Sequence, residues 1–225
     1  MLEWNLRSED FSFPMNIALG VLSIVIAYLL GSIPFAYLIG KLRGLDVRQV
    51  GDKNVGTFNV FRHGGMAAGI ATLVADVGKG ALAIVVAKIL LTNELVVFAA
   101  GVAVLIGHNW PVFLHFRGGR GLAVVIGALL ALLPVEMLIS AAIALIVLYF
   151  TRHVIWFGVA MFVPLILLSI LFKERASLII YSGVLPCLAG FAHIWTTRRL
   201  SMEQQKEAVS FWVGRKSNRG RSNSA

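Results

Sequence analysis

The stretch LAVVIGALLALLPVEMLISAAIALIVLYF, Leu122 to Phe150, decides how this chain is organised. Its 29 residues are broken only by Pro134 and the charge of Glu136. As one helix it would be about 44 Å long, against a hydrocarbon core of about 30 Å. Proline removes a helical N–H and crowds the turn before it, so it marks a break. The stretch therefore reads as two short helices turning at Pro134-Val135-Glu136, each of about 12 to 14 residues or roughly 20 Å. Helices that short must be shielded by neighbours or begin at a loop that dips into the membrane.

Outward from that stretch, further apolar runs approach or exceed the length needed to cross a bilayer. They run roughly from Met15 to Gly40, Met66 to Leu91, Leu95 to Phe113, Val154 to Phe172 and Ala176 to Thr197. The 225 residues are 58% hydrophobic and only 14% charged, well below the roughly 25% charge of a soluble domain. The alternating ten-residue segments of an outer-membrane barrel are absent. The expected fold is all-α, a polytopic integral membrane protein.

Splitting the central stretch gives seven transmembrane helices, with the N-terminus outside and the C-terminus cytoplasmic. On that count 15 of the 20 Lys and Arg face the cytoplasm. A single long helix would instead send the basic tail outside, against the positive-inside rule. Residues 1–14 form an external segment, 15–200 the membrane domain and 201–225 a basic cytoplasmic tail, read as disordered from about Gly214. The start is acidic (Glu3, Glu9, Asp10), unlike a cleaved signal peptide, so the first apolar run is expected to be retained.

The net charge of +9 fits topology signals and attraction to anionic membrane lipid, with no nucleic-acid partner expected. Cys187 is the only cysteine, which excludes an intrachain disulfide and a thiolate zinc site. No metal or cofactor is expected, and no internal repeat is visible.

Two glycine-and-base segments lie on the expected cytoplasmic face: VGDKNVGTFNVFR, Val50 to Arg62, and GHNWPVFLHFRGGRG, Gly107 to Gly121. Glycine lets a backbone approach a ligand closely, and a helix starting just after it presents unpaired N–H groups. Arginine supplies a fork of donors matched to phosphate oxygens. Gly118, Gly119 and Gly121 with Arg117 or Arg120 read either as a phosphate cradle or as a membrane-surface turn with topology-setting arginines. Asn54, Gly56, Asn59 and Arg62 read as ligand contacts or as a polar loop. His108 and His193 could donate to an anion or move a proton, or could sit at the interface as packed residues. Asp76 and Lys79, three apart, share a helix face and can neutralise each other, as a brace or at a substrate. No Ser-His-Asp order, HExxH or Walker loop occurs, and no covalent nucleophile stands out.

Taken together, these residues resemble the membrane acyl-phosphate:glycerol-3-phosphate acyltransferase family, PlsY. DKNVGTFNVFR, Asp52 to Arg62, aligns without a gap on a motif near SGNxGATNxxR and matches at Asn54, Gly56, Asn59 and Arg62. Asp76 to Gly80 is similar to DxxKG, and Gly107 to Gly121 matches GHxxPxFxxFxGGKG with Arg120 for lysine. AHIWTTRRL partly keeps RHxxNxxRL, at His193, Arg199 and Leu200. The likeness covers about Gly31 to Leu200.

The resemblance implies a seven-helix membrane enzyme with a cytoplasmic active site. It would pass an acyl group from acyl phosphate to the sn-1 hydroxyl of glycerol 3-phosphate, giving lysophosphatidate. Arg62, Asn59, His193 and Arg120 would line the glycerol-phosphate site, and Gly118, Gly119 and Gly121 would hold the acyl phosphate. Asp52, Lys53, Asn54, Gly56, Lys79, His108, Arg117 and Arg199 complete the expected substrate contacts. Asp52 stands for the motif's serine and Lys53 for its glycine, while Thr196 replaces asparagine and Ala192 arginine. A carboxylate at Asp52 needs a counter-charge beside a substrate phosphate, and Lys53 is the expected source. Those departures leave one rival, a non-catalytic member that binds anionic lipid or modulates a partner enzyme; a transporter of a phosphorylated solute is a further one, disfavoured by the absence of repeats and of midplane charge beyond Asp76 and Lys79.

Overall fold

The computed structural model describes residues 3–91, 93–198 and 200–209, with residues 3–14, 203 and 207 as backbone alone. These fold into helices α1 (Glu3–Ser32), α2 (Phe35–Leu42), α3 (Thr57–Gly64), α4 (Met66–Leu90), α5 (Glu94–Asn109), α6 (Leu122–Leu132), α7 (Pro134–Thr151), α8 (Val154–Leu171), α9 (Ala176–Thr197) and α10 (Met202–Val209). Among the described residues, six helical stretches are long and apolar enough to cross a membrane: Met15–Leu42, Met66–Leu90, Glu94–Leu114, Pro134–Thr151, Val154–Leu171 and Ala176–Thr197. α6, with 11 residues, is an apolar helix about 16 Å long, shorter than a hydrocarbon core of about 30 Å.

The central stretch breaks where proline predicts. Leu133 leaves helical geometry (φ −133°, ψ 66°), and Pro134 opens α7 in the first helical turn, where its missing N–H costs nothing. α7 has 18 residues, more than expected, because it keeps Pro134 and continues to Thr151 before Arg152 closes it in a left-handed conformation (φ 54°).

The first apolar run, expected as one span, is interrupted at Ile33-Pro34. Pro34 has no N–H and takes φ −92°, ψ 69°, so α1 stops at Ser32 and α2 starts afresh at Phe35. The break leaves the Ile33 carbonyl open to accept from Lys79 Nζ of α4 at 2.9 Å.

The core gathers α4, α5, α6, α8 and α9 around fully buried Ile84, Val104, Val124, Leu129, Leu165 and Leu185. Two helix crossings are too close for any side chain. A methyl on Gly31 of α1 would strike the Val104 carbonyl of α5, and one on Gly107 of α5 would strike the Tyr28 carbonyl of α1. Gly80 of α4 and Gly127 of α6 face the Val124 and Val77 carbonyls in the same reciprocal way. Small residues at such crossings let backbones approach and gain dispersion contacts where lipid offers no hydrophobic drive. α4 thus supplies the shelter that short α6 requires. At one end of the bundle a second cluster (Ala36, Val47, Val55, Val60, Ala68, Leu114) ties α2, α3 and their loop to the start of α4.

Candidate active site

The loop between α2 and α3 is held in shape by two polar anchors. Asp46 accepts from Arg48 Nη2 at 2.8 Å, Nε at 3.0 Å and the Arg48 backbone N–H at 3.1 Å, while the guanidinium lies 4.5 Å over the Tyr37 ring. The Arg48 hydrogen bonds hold the Asp46 carboxyl well below the usual carboxylate range. Asn59, on α3, is 1% exposed. Its Nδ2 donates to the carbonyls of Val47 (2.9 Å), Asn54 (3.0 Å) and Val50 (3.2 Å). Its amide nitrogen is therefore committed to folding the loop. Arg62 follows three residues later on the same helix, half-buried.

The folded loop meets the second glycine segment. A methyl on Gly119 would strike both the Val55 carbonyl and the His108 ring, so the two segments touch through backbone. Across the same junction Arg120 Nη1 donates to Asp52 Oδ2 at 2.6 Å, the two side chains being 11% and 2% exposed. The second Asp52 oxygen accepts from the Asn54 N–H at 3.3 Å. The counter-charge of Asp52 is Arg120 and not Lys53, contrary to the sequence expectation. Lys53 takes a left-handed backbone (φ 57°) and is exposed. Asn54 is half-buried, with its amide against buried Gly56.

The glycine loop also departs from the expected cradle. Gly118 N–H donates to the Asn109 carbonyl and Gly119 N–H to the His108 carbonyl, each at 3.1 Å, stapling the loop to the end of α5. Those two donors are spent. The first turn of α6 takes their place: after Gly121 (φ 82°) the first helical bond runs from Val125 N–H to the Gly121 carbonyl. The N–H groups of Gly121, Leu122, Ala123 and Val124 have no backbone acceptor among the described residues. They form the positive end of a helix beside Arg120. Arg117, by contrast, is exposed.

His193 of α9 lies close enough to feel the charges of both Arg120 and Asp52. Thr196, which stands where the resembled motif has asparagine, turns its hydroxyl back to the Ala192 carbonyl at 2.9 Å. Arg199 and residues 210–225 of the expected tail lie outside the described residues.

Beneath the glycine loop, Lys79 Nζ is 2.9 Å from Asp76 Oδ1, and His108 Nδ1 is 3.8 Å from the same oxygen. The Lys79 and Asp76 side chains are 3% and 1% exposed. With Phe35, Gly118 and Gly119 they line a cleft of about 190 Å³, counting its open mouth. Lys79 is thus a brace between α4 and the α1–α2 break as well as part of the cleft wall. Sequence reasoning passed over Asn109, whose buried Oδ1 lies against Gly121, and the Ile33 carbonyl. Asn109 could have been found as the polar residue following His108 at a helix end.

A bundle of apolar helices closing at one end over guanidinium, imidazole, ammonium and helix-start amides defines a membrane protein with a cluster of hydrogen-bond donors and cations at that end. Residues 21–203 match the family model described as Glycerol-3-phosphate acyltransferase, and the chain belongs to that family. It is 41% identical over 180 residues to Glycerol-3-phosphate acyltransferase 4 of Dehalococcoides mccartyi, covering 80% of this chain and 97% of that one. It is 39% identical over 181 residues to the Glycerol-3-phosphate acyltransferase of Thermoanaerobacter pseudethanolicus, covering 80% and 91%. Among solved structures, the glycerol 3-phosphate form of PlsY (YgiH), an integral membrane glycerol 3-phosphate acyltransferase, superposes with TM-score 0.72 at 30% identity, covering 80% of this chain and 90% of that one. The lysophosphatidic acid form gives 0.71 at 28% identity, covering 84% and 97%.

Proposed function

We propose that this chain transfers an acyl group from acyl phosphate to glycerol 3-phosphate, giving lysophosphatidate for phospholipid synthesis. Family membership supports glycerol 3-phosphate acylation within a multi-pass membrane protein. The observation that carries the reading to this site is the junction of the two glycine segments, through Asp52–Arg120 and Val55–Gly119.

Acyl phosphate is a mixed anhydride with a good leaving group, so positioning and charge stabilisation suffice without a covalent intermediate. The glycerol hydroxyl oxygen forms the new bond to the acyl carbon, the bond from that carbon to the phosphate oxygen breaks, and inorganic phosphate leaves. The hydroxyl proton passes to the departing phosphate, directly or through His193. Free amides of the first α6 turn and Arg120 supply donors for phosphate oxygens, with Arg62 as a further cation. The acyl chain lies against the lipid-facing helix surface.

We place α6 and α7 as the fourth and fifth of seven spans, with the N-terminus outside, the tail cytoplasmic and the site at the inner leaflet of the cell membrane. The division into residues 1–14, 15–200 and 201–225 follows from that topology. Single cysteines introduced into a Cys187→Ser background and labelled from either side of sealed vesicles test it. Labelling near Lys53 and near Lys173 from the same side would overturn it.

Purified protein in micelles should form lysophosphatidate and inorganic phosphate from acyl phosphate and glycerol 3-phosphate, and Arg62→Ala should abolish this. Absence of turnover by the unaltered protein would sink the activity. Undiminished turnover by Arg62→Ala would sink the assignment of the site.

A further inference from the structure

Two positions at which this chain departs from the resembled motifs, Asp52 and Arg120, are 68 residues apart in sequence and meet in one ion pair. We infer that Asp52 is a positioning residue, which pins one branch of the Arg120 guanidinium and so presents the opposite edge to the phosphate of glycerol 3-phosphate. This rests on the acyl-transfer reading of the site.

The geometry of arginine carries the inference. Asp52 takes the Nη1 branch. Nη1 lies on the same side of the guanidinium as the side-chain stem, so the Nε–Nη2 edge remains, with two parallel N–H donors. That edge is the one suited to a bidentate grip on carboxylate or phosphate. Arg120 Nε is buried and has no acceptor among the described residues. A buried guanidinium donor left unsatisfied is costly, and a phosphate oxygen would satisfy it.

The anchor is itself fixed. Asp52 is 2% exposed on the side chain, and its other oxygen accepts from the Asn54 N–H. The loop bearing it is held by the three hydrogen bonds of Asn59. Two guanidinium-to-anion contacts on different edges can coexist, so substrate need not displace Asp52. An anionic residue in a site for anions is therefore an orienting group whose charge Arg120 already neutralises. A serine at position 52 could not hold a guanidinium by charge, and a lysine at 120 has no second edge to present.

The test is a double-mutant cycle on the full-length protein with Asp52→Ser, Arg120→Lys and the pair together, read by turnover and by calorimetric binding of glycerol 3-phosphate. Asp52→Ser should raise both the KM and the Kd for glycerol 3-phosphate at least tenfold while kcat falls much less. Asp52→Glu should recover part of that loss. The double variant should be no worse than its weaker parent, because a pinned fork no longer exists to be lost twice. If the two single effects multiply in the double variant, or if kcat falls with Kd unchanged, the inference is overturned. Should Asp52→Ser not fold, Asp52→Asn, which keeps the shape and removes the charge, takes its place in the cycle. Coupled binding without turnover by the unaltered protein would remove only the acyl-transfer reading. Turnover with multiplying effects would remove only the role of Asp52, and failure of the unaltered protein to bind glycerol 3-phosphate would remove both.

Discussion

Replacing Asp76 by alanine should be among the most damaging single changes in the bundle. The carboxylate is 1% exposed, and its partner Lys79, 2.9 Å away, is 3% exposed. Without Asp76 the ammonium keeps one protein acceptor at hydrogen-bond distance, the Ile33 carbonyl, and has no compensating charge among those contacts. Breaking a buried pair from one side costs about 3–5 kcal/mol, because the remaining charge stays desolvated. That corresponds to roughly a hundred- to several-thousand-fold in the unfolding equilibrium. Removing both charges has a different sign. Asp76→Leu with Lys79→Met leaves no stranded ion, and an apolar replacement of a buried pair is often neutral or stabilising. Titration from mild micelles into a denaturing detergent, followed by the fluorescence of the five tryptophans, measures all three proteins. Asp76→Ala within about 1 kcal/mol of the unaltered protein, or a double variant worse than Asp76→Ala alone, would refute the reasoning. The double variant should still lose activity, since Lys79 and Asp76 also line the cleft.

Gly127→Ala should destabilise by about 1–3 kcal/mol by forcing α6 off the Val77 carbonyl, whereas Gly158→Ala, with open space around it, should be neutral or slightly stabilising in the same titration. Asn59→Asp removes the donor shared by three loop carbonyls and sets a carboxylate against them; turnover should fall at least about tenfold and limited proteolysis between α2 and α3 should quicken. Arg120→Ala should lower kcat/KM at least about tenfold more than Arg117→Ala, because Arg117 is exposed while Arg120 bridges the two segments; equal effects would contradict the placement.

Legibility in the sequence followed how local the cause was. The turn at Pro134 could be read because one residue type dictates it wherever an overlong apolar run contains it. The equally local break at Pro34 was overlooked, because the run from Met15 to Gly40 is not too long for one span and nothing demanded a second helix. The two glycine segments were read on one membrane side, but they flank different spans and could converge only if the bundle brought their ends together; they do meet. Which donors are free within them was not legible. That Gly118 and Gly119 spend their N–H groups on α5 depends on where Pro111 to Arg117 turn the chain, a matter of loop geometry. Lys53 was the natural counter-charge for Asp52 by adjacency, but a left-handed backbone put it outside and left the task to a residue of the other glycine segment. Asn59, expected at the ligand, spends its amide nitrogen on its own loop, which the residue type alone could not distinguish.

The depth of Asp76 has a consequence for traffic. It is ten residues into α4 from Met66, so the floor of the cleft lies about 15 Å along that helix from its first residue. The ends of α1 and α5, the start of α2 and the glycine loop form the walls above it. The bundle is notched there. On the proposed function a water-borne polyol phosphate would descend into the notch while a fatty chain slid in sideways from the oil, and neither would have to leave its own phase. On the proposed acyl transfer the product would stay with the tail and depart laterally into the leaflet, and only inorganic phosphate would go back to water.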